Sequence, residues 1–171
     1  MYLQLVQRAA SERGMRRRQA GLTLIEVIIA MTILAVLASA VVPLAATTVR
    51  RTREIELRRS LREMRTAIDQ YKLDYDRAVK EKKIIPTLGD TGYPKELEDL
   101  ITGDDWGGMY PFKRKYLRRI PSDPFDEYEE GWGKRSMADD PDSLSWGGED
   151  VFDVYSQSTE TGLDKTLYNT W

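Results

Sequence analysis

The sequence predicts an α+β fold in which one long N-terminal helix packs on a small C-terminal antiparallel sheet. Three observations support this prediction. An apolar run covers residues 22–42, an apolar stripe at helical spacing follows it, and two short segments near the C-terminus have the pattern of strands. The length of 171 residues fits one domain behind an apolar segment.

The apolar run begins directly after Gly21 and contains a single charged residue, Glu26. Because about 20 apolar residues cross a bilayer as a helix, residues 22–49 are predicted to form a transmembrane half of the long helix. A secretory signal peptide carries its apolar region before the cleavage site, whereas here the small residue that could be cut precedes the run. Cleavage at Gly21 would therefore retain the run, with a carboxylate one turn inside it, where a charge is costly.

The second half of the helix, residues 50–83, is predicted from apolar residues at alternating steps of four and three. Pro43 lies before this half and has no N–H to donate, so we expect it to kink or loosen the helix. We expect the stripe to pack on the chain's own C-terminal domain, because the sheet of that domain needs a cover. A free coiled coil is the alternative. The stripe consists of Leu57, Leu61, Met64, Ile68, Tyr71 and Tyr75.

The C-terminal domain is predicted to cover residues 84–171, where glycine and proline become frequent. A short helical segment is expected around Leu97, Leu100 and Ile101. Residues 132–137 and 151–156 are the candidate strands, and they would pair as an antiparallel hairpin against the helix. Residues 138–149 are rich in Asp, Ser, Pro and Gly and are predicted to form a loop.

The junction QAGLTLIEVIIAMTILAVL resembles the class III signal of type IV pilins and type II secretion pseudopilins. The resemblance implies that a prepilin peptidase cuts after Gly21 and methylates Leu22, a position at which the family usually has Phe. Residues 1–21 would then be a leader, and Glu26 and Pro43 would occupy the family's positions in the mature chain. It also implies a single-pass protein of the bacterial inner membrane with its head in the periplasm.

Three further pieces, YPKELEDL, YLRRIPSDPF and DVYS, resemble in their order the major pseudopilins of type II secretion. The resemblance implies a type IV pilin-like fold and a subunit that polymerises into a periplasmic pseudopilus, which drives export of folded proteins across the outer membrane. The implied partners are other copies of the chain, minor pseudopilins, the prepilin peptidase, the inner-membrane assembly platform and membrane lipid. Two alternatives stay open: a type IV pilin of a surface or DNA-uptake fibre, and a membrane-anchored binding domain that does not polymerise.

Charge and composition narrow the function classes. Residues 1–83 carry 17 basic and 9 acidic side chains, and residues 84–171 carry 9 basic and 19 acidic ones. A basic stem and an acidic head can attract each other between subunits, although both can also be solvated surfaces. The absence of Cys and His removes disulfides, thiol nucleophiles, imidazole bases and the usual zinc ligands, so no enzyme is predicted. Acids interrupt the basic helix face and no aromatic residues interleave with its arginines, so no nucleic-acid partner is expected.

The resemblance further implies a C-terminal loop that holds one Ca²⁺, but the tail QSTETGLDKTLYNTW has only two acids. Calcium needs six to eight oxygen ligands, which acids in and before the tail could supply together with backbone carbonyls. These candidate ligands are Asp150, Asp153, Glu160 and Asp164. The alternative is a metal-free loop held by apolar side chains, namely Leu163, Leu167, Tyr168 and Trp171.

Overall fold

The structure is a computed structural model that describes residues 21–128 and 130–171, and for residues 40 and 42–44 it describes the backbone alone. Residues 46–171 form one compact unit, and the chain before them is a separate one. The predicted leader up to residue 20 lies outside the described residues. The elements, in chain order, are helix α1 (Leu24–Lys80), helix α2 (Asp99–Thr102), strand β1 (Trp132–Arg135), strand β2 (Asp153–Ser156) and a final 3-10 turn (Tyr168–Thr170).

Helix α1 confirms the predicted long continuous helix. Thr23 caps its start, because the Thr23 hydroxyl accepts a hydrogen bond from the N–H of Glu26 at 3.3 Å. Glu26 lies in the first turn, where a negative charge stabilises the helix N-terminus. Basic residues occupy the last turn, as the opposite end of the helix dipole favours. The helix includes Pro43, and the predicted kink there stays a prediction.

Large apolar side chains are exposed at the start of the described chain and along the first half of α1, and each of them is at least half exposed. They are Leu22, Leu24, Ile25, Ile28, Ile29, Met31, Ile33, Leu34, Val36, Leu37 and Val41. Within the described residues, no helix combines the length and the mean hydropathy needed to cross a membrane.

The apolar stripe on the second half of α1 forms the centre of the core. Leu57, Met64 and Ile68 are completely buried, and each such side chain contributes about 1.5–3 kcal/mol relative to exposure. Their partners come from α2, both strands and the C-terminal segment, so the stripe packs on the chain's own head as predicted. The other buried members of this cluster are Leu61, Ala67, Leu97, Leu100, Leu117, Phe125, Trp132, Val151, Val154 and Tyr168.

Strands β1 and β2 confirm the predicted antiparallel hairpin, with Trp132 opposite Ser156 and Arg135 opposite Asp153. Both strands are shorter than the predicted residues 132–137 and 151–156. Beyond the paired residues, the backbone N–H groups of Ser136 and Met137 donate to side-chain carboxylates, at 2.7 and 2.9 Å, instead of to backbone carbonyls of the other strand. The connection between the strands has no regular secondary structure over residues 138–149, as predicted.

Gly133 on β1 leaves room for the ring of Tyr155, its partner on β2. A Cβ atom at Gly133 would clash with that ring. The Tyr155 hydroxyl donates to the carbonyl of Leu144 at 2.9 Å, so the ring also ties the loop between the strands to the sheet. The glycine is therefore a requirement of packing, because no other residue lets an aromatic ring lie on the strand.

A second, smaller cluster holds the C-terminal end of α1. Tyr75, Ala78 and Trp106 are buried in it, and Tyr71 meets Trp106 edge to face with ring centroids 4.8 Å apart. Burial raises the pKa of Tyr71 to about 12. The ring cluster therefore stays uncharged at neutral pH.

Asp74 lies at the centre of a polar network beside this cluster. Its side chain is only 6% exposed, and it accepts hydrogen bonds from the hydroxyls of Tyr110 and Tyr116 at 3.0 and 2.6 Å. Arg114 forms an ion pair with Asp74 at 3.1 Å. Burial, followed by the hydrogen bond to Asp74, raises the pKa of Tyr116, so its hydroxyl remains a donor. The buried carboxylate is thus satisfied by three donors, as a buried charge requires.

Candidate assembly site

The predicted processing residues lie at the exposed start of the described chain. Gly21 and Leu22 precede α1 and have no regular secondary structure. Both are exposed, Leu22 by 74%. Exposed backbone outside regular structure is the form in which peptide bonds are most readily cut. The bond after Gly21 is therefore accessible in this structure.

Glu26 projects from the first turn of the exposed apolar half of α1. Its backbone N–H contacts Thr23, but its carboxylate makes no hydrogen bond or ion pair with any described residue. The next polar side chain, Thr32, donates within its own helix to the carbonyl of Ile28 at 2.7 Å. When apolar surface covers this region, the charge of Glu26 has no partner from the same segment and needs one from elsewhere. For Pro43, the structure describes only the backbone, which is helical.

Three arginines of α1 hold the C-terminal segment, residues 160–171, against the helix. Arg50 donates to the Tyr168 hydroxyl at 3.2 Å and pairs with Glu160 at 3.3 Å. Arg58 pairs with Asp164 at 2.8 Å and lies 3.9 Å from the ring centroid of Trp171. Hydrogen bonds from Thr166, and to a lesser extent from Arg58, lower the pKa of Asp164, which keeps it charged near neutral pH.

The third arginine, Arg65, fastens the end of the segment to β2. It pairs with Asp153 at 2.6 Å and donates to the carbonyl oxygen of Trp171 at 2.9 Å. Glu54 also contributes to this attachment. Its carboxylate accepts hydrogen bonds from the Tyr168 hydroxyl at 2.9 Å and from the backbone N–H of Leu163 at 2.7 Å. The sequence alone does not predict this set of contacts, because its charge pattern indicated attraction between subunits or solvated surfaces rather than ion pairs within one chain.

The prediction that four apolar side chains hold the closing loop is half correct. Tyr168 is completely buried and stacks on Phe125 with centroids 4.1 Å apart, and Trp171 packs on the core. Leu163 and Leu167 are 46% and 43% exposed, so the prediction is wrong for them. The reason is that the loop is fastened by polar groups, including the N–H of Leu163 to Glu54, which leaves its leucine side chains facing solvent.

The four predicted calcium ligands are engaged at separate places. Asp150 accepts from the Thr91 hydroxyl and from the N–H of Met137, whereas the other three pair with the arginines described above. Over residues 21–128 and 130–171, no group of three or more acidic side chains is close enough to hold a metal ion. Calcium binding by Asp150, Asp153, Glu160 and Asp164 therefore stays a prediction, with the metal-free loop as its alternative.

A melting experiment distinguishes the two alternatives. A ligand that binds only the folded state raises stability by RT ln(1 + [L]/Kd). Because each carboxylate already has a donor, we expect a version lacking residues 1–49 to melt at the same temperature in millimolar Ca²⁺ and in chelator. Arg58→Ala should lower the melting temperature in both conditions, because it removes the Asp164 pair and the contact with Trp171. A rise in melting temperature with Ca²⁺ would instead support the calcium site.

Comparison with known proteins identifies the family. Residues 16–42, which include Gly21, Leu22 and Glu26, match the family model described as the prokaryotic N-terminal methylation motif. The type II secretion system core protein G of Pseudomonas aeruginosa is 31% identical over 146 residues, covering 77% of this chain and 97% of that protein. The chain belongs to the core protein G family of type II secretion. No solved structure matches the chain significantly.

Membership of the core protein G family makes the chain a pseudopilin subunit of type II secretion. The resemblance of the junction to the pilin and pseudopilin signal, and of the chain to type II secretion pseudopilins, is thereby confirmed. The relative is named as a core protein of the secretion system rather than as an enzyme. The long helix and the two-stranded antiparallel sheet fit the α+β pilin-like fold that the resemblance implied.

Proposed function

We propose that this pseudopilin is cut after Gly21 by a prepilin peptidase, methylated on Leu22 and polymerised into a periplasmic pseudopilus. The growing fibre pushes folded proteins through an outer-membrane channel, so the work of the chain is mechanical rather than catalytic. The observation that carries the proposal is the exposed apolar half of α1 in a chain of the core protein G family.

An apolar helix face of this size needs a cover. Before assembly, the lipid of the inner membrane provides it, with residues 22–49 as a single-pass anchor and the head of residues 84–171 in the periplasm. During assembly, an inner-membrane platform extracts the subunit, and the same face packs against the helices of neighbouring subunits. Minor pseudopilins are the remaining proposed partners, and neither nucleic acid nor a cofactor is part of the proposal.

A secretion assay tests this function. Deletion of the chain should abolish export of folded exoproteins, and the full chain supplied in trans should restore it. The compact unit alone, residues 46–171 behind a cleavable secretory signal, should reach the periplasm without restoring export, because it lacks the apolar surface that polymerises. Restoration by this unit alone would support a non-polymerising binding domain instead. Normal export in the deletion strain would contradict a role in secretion.

A further inference from the structure

A basic groove runs along one side of α1, between the helix and residues 114–122. Two adjoining openings of about 490 and 760 Å³ share Arg59 and Glu63 and together form it. Exposed or partly exposed apolar side chains contribute to the wall, and Ile55 is 63% exposed. The residues that define the basic groove are Ile55, Arg59, Arg62, Lys115, Arg119 and Ile120.

The cations of the basic groove have no acidic partner among the described residues. Arg50, Arg58 and Arg65 are paired with the C-terminal segment, whereas none of the four groove cations takes part in an ion pair with a described residue. Glu56 and Glu63 also line the groove, but they leave a net positive charge. The groove therefore combines exposed apolar surface with cations that can pair with a partner.

An acidic loop of the same chain has the complementary properties. Its sequence, residues 126–130, is DEYEE, and the structure describes residues 126–128 and 130 of it. Asp126 accepts the backbone N–H groups of Tyr128, Glu130 and Gly131 at 3.2, 3.1 and 2.7 Å. The Tyr128 side chain is 81% exposed, and the carboxylates of Glu127 and Glu130 form no ion pair with a described residue. The acidic loop thus presents an aromatic ring between free carboxylates.

We propose that the acidic loop of one subunit docks in the basic groove of a neighbouring copy of this chain, an inference that rests on the proposed pseudopilus. In this contact Tyr128 lies against Ile55 and Ile120, and its flanking carboxylates pair with the groove arginines. Aromatic rings make strong anchors at interfaces and attract arginine through their faces. The charges fix the register of the two subunits, since a shifted register would place like charges together.

The partner is a second copy because both halves of the contact lie on one chain. Groove and loop are different patches, so the contact is heterologous: each subunit uses its groove toward one neighbour and its loop toward another. Such a contact repeats along an open helical filament unless the rotation closes a ring. A symmetric dimer would need one patch to be complementary to itself, whereas the groove has a net positive charge and the loop carries acidic side chains without basic ones.

Cysteine cross-linking tests the contact, because the chain has no cysteine of its own. One full-length copy carries Ile55→Cys and a second carries Tyr128→Cys, both produced in cells with an active secretion system. We expect a disulfide-linked dimer that contains both variants and is absent when either is produced alone. Adding Glu127→Lys and Glu130→Lys to the Tyr128→Cys copy should lower its yield roughly tenfold, because like charges then meet.

Two further sets of variants test whether the charge reversal acts through this contact: a compensating reversal in the groove and a matched charge change outside the loop. Adding Arg59→Glu and Arg119→Glu to the Ile55→Cys copy should restore the cross-link with the reversed loop, which also shows that both variants fold. The control Asp140→Lys with Asp142→Lys changes the charge of the head equally, at exposed acids outside the loop, and should leave the yield unchanged.

The outcomes separate this inference from the proposed function. Absence of the mixed dimer, while filaments and secretion are normal, would overturn the docking contact alone. A yield that is insensitive to charge reversal, or a product in which Ile55→Cys joins only other proteins, would also overturn it. If the unmodified chain forms no filament and supports no secretion, the proposed function fails instead.

Discussion

Replacing Glu26 by alanine is expected to block or misregister filament assembly while leaving cleavage and membrane insertion intact. The Glu26 carboxylate has no partner among the described residues of its own chain, and an unpaired charge in apolar surroundings is costly. Cleavage after Gly21 creates a positive amine on Leu22. We expect that amine of a neighbouring subunit to pair with Glu26, which favours the correct vertical register. Loss of about 3 kcal/mol of this pairing would weaken association roughly 100-fold.

Shear-fraction analysis and cross-linking of filaments, together with a secretion assay, measure the effect. Thr32→Ala is the matched control, because Thr32 is polar, lies in the same apolar segment and bonds only to its own helix. It should assemble normally. If Glu26→Ala gives filaments and secretion equal to those of the control, Glu26 is not the residue that sets the register.

Asp74→Ala is expected to destabilise the compact unit of residues 46–171 strongly. It removes the acceptor of the Tyr110 and Tyr116 hydroxyls and the charge that Arg114 pairs with. Leaving buried donors unsatisfied costs about 3 kcal/mol, which should lower the melting temperature by roughly 10 °C. Thermal unfolding of a version lacking residues 1–49 provides the measurement.

Two further variants test the cause of that loss. Asp74→Asn keeps an acceptor of the same shape and should recover part of the stability. Asp76→Ala, two residues further along α1, removes only an exposed pair with Lys72, for which about 0.5 kcal/mol is the usual scale. Equal losses for Asp74→Ala and Asp76→Ala would show that the buried network does not stabilise the compact unit of residues 46–171.

The long helix and the hairpin could be predicted because their signals are local and periodic. The stripe that includes Leu57, Met64 and Ile68 repeats along one helix face, and its burial follows from that spacing alone. The strand segments alternate over a few residues, so their existence was predictable, but their ends were not. The ladder stops at Arg135 because carboxylates of Asp139 and Asp150 take the next two N–H groups.

The polar contacts of the head could not be predicted because they join residues far apart in the chain. Asp74 meets Tyr110 and Tyr116 about 40 positions later, and no spacing rule connects them. Arg58 and Asp164 are separated by 106 positions, so the arginine looked like a solvated charge. The same limit explains why Leu163 was expected inside, since its exposure depends on the distant carboxylate of Glu54.

The central claim, that the chain is a processed pseudopilin, is tested most directly by mass spectrometry of the protein extracted from membranes of cells with an active prepilin peptidase. We expect a chain that begins at N-methylated Leu22. A Gly21→Leu variant should remain as the uncut precursor, because the bulky side chain replaces the small residue at the cleavage site. A native protein that retains residues 1–21 under these conditions would contradict the account.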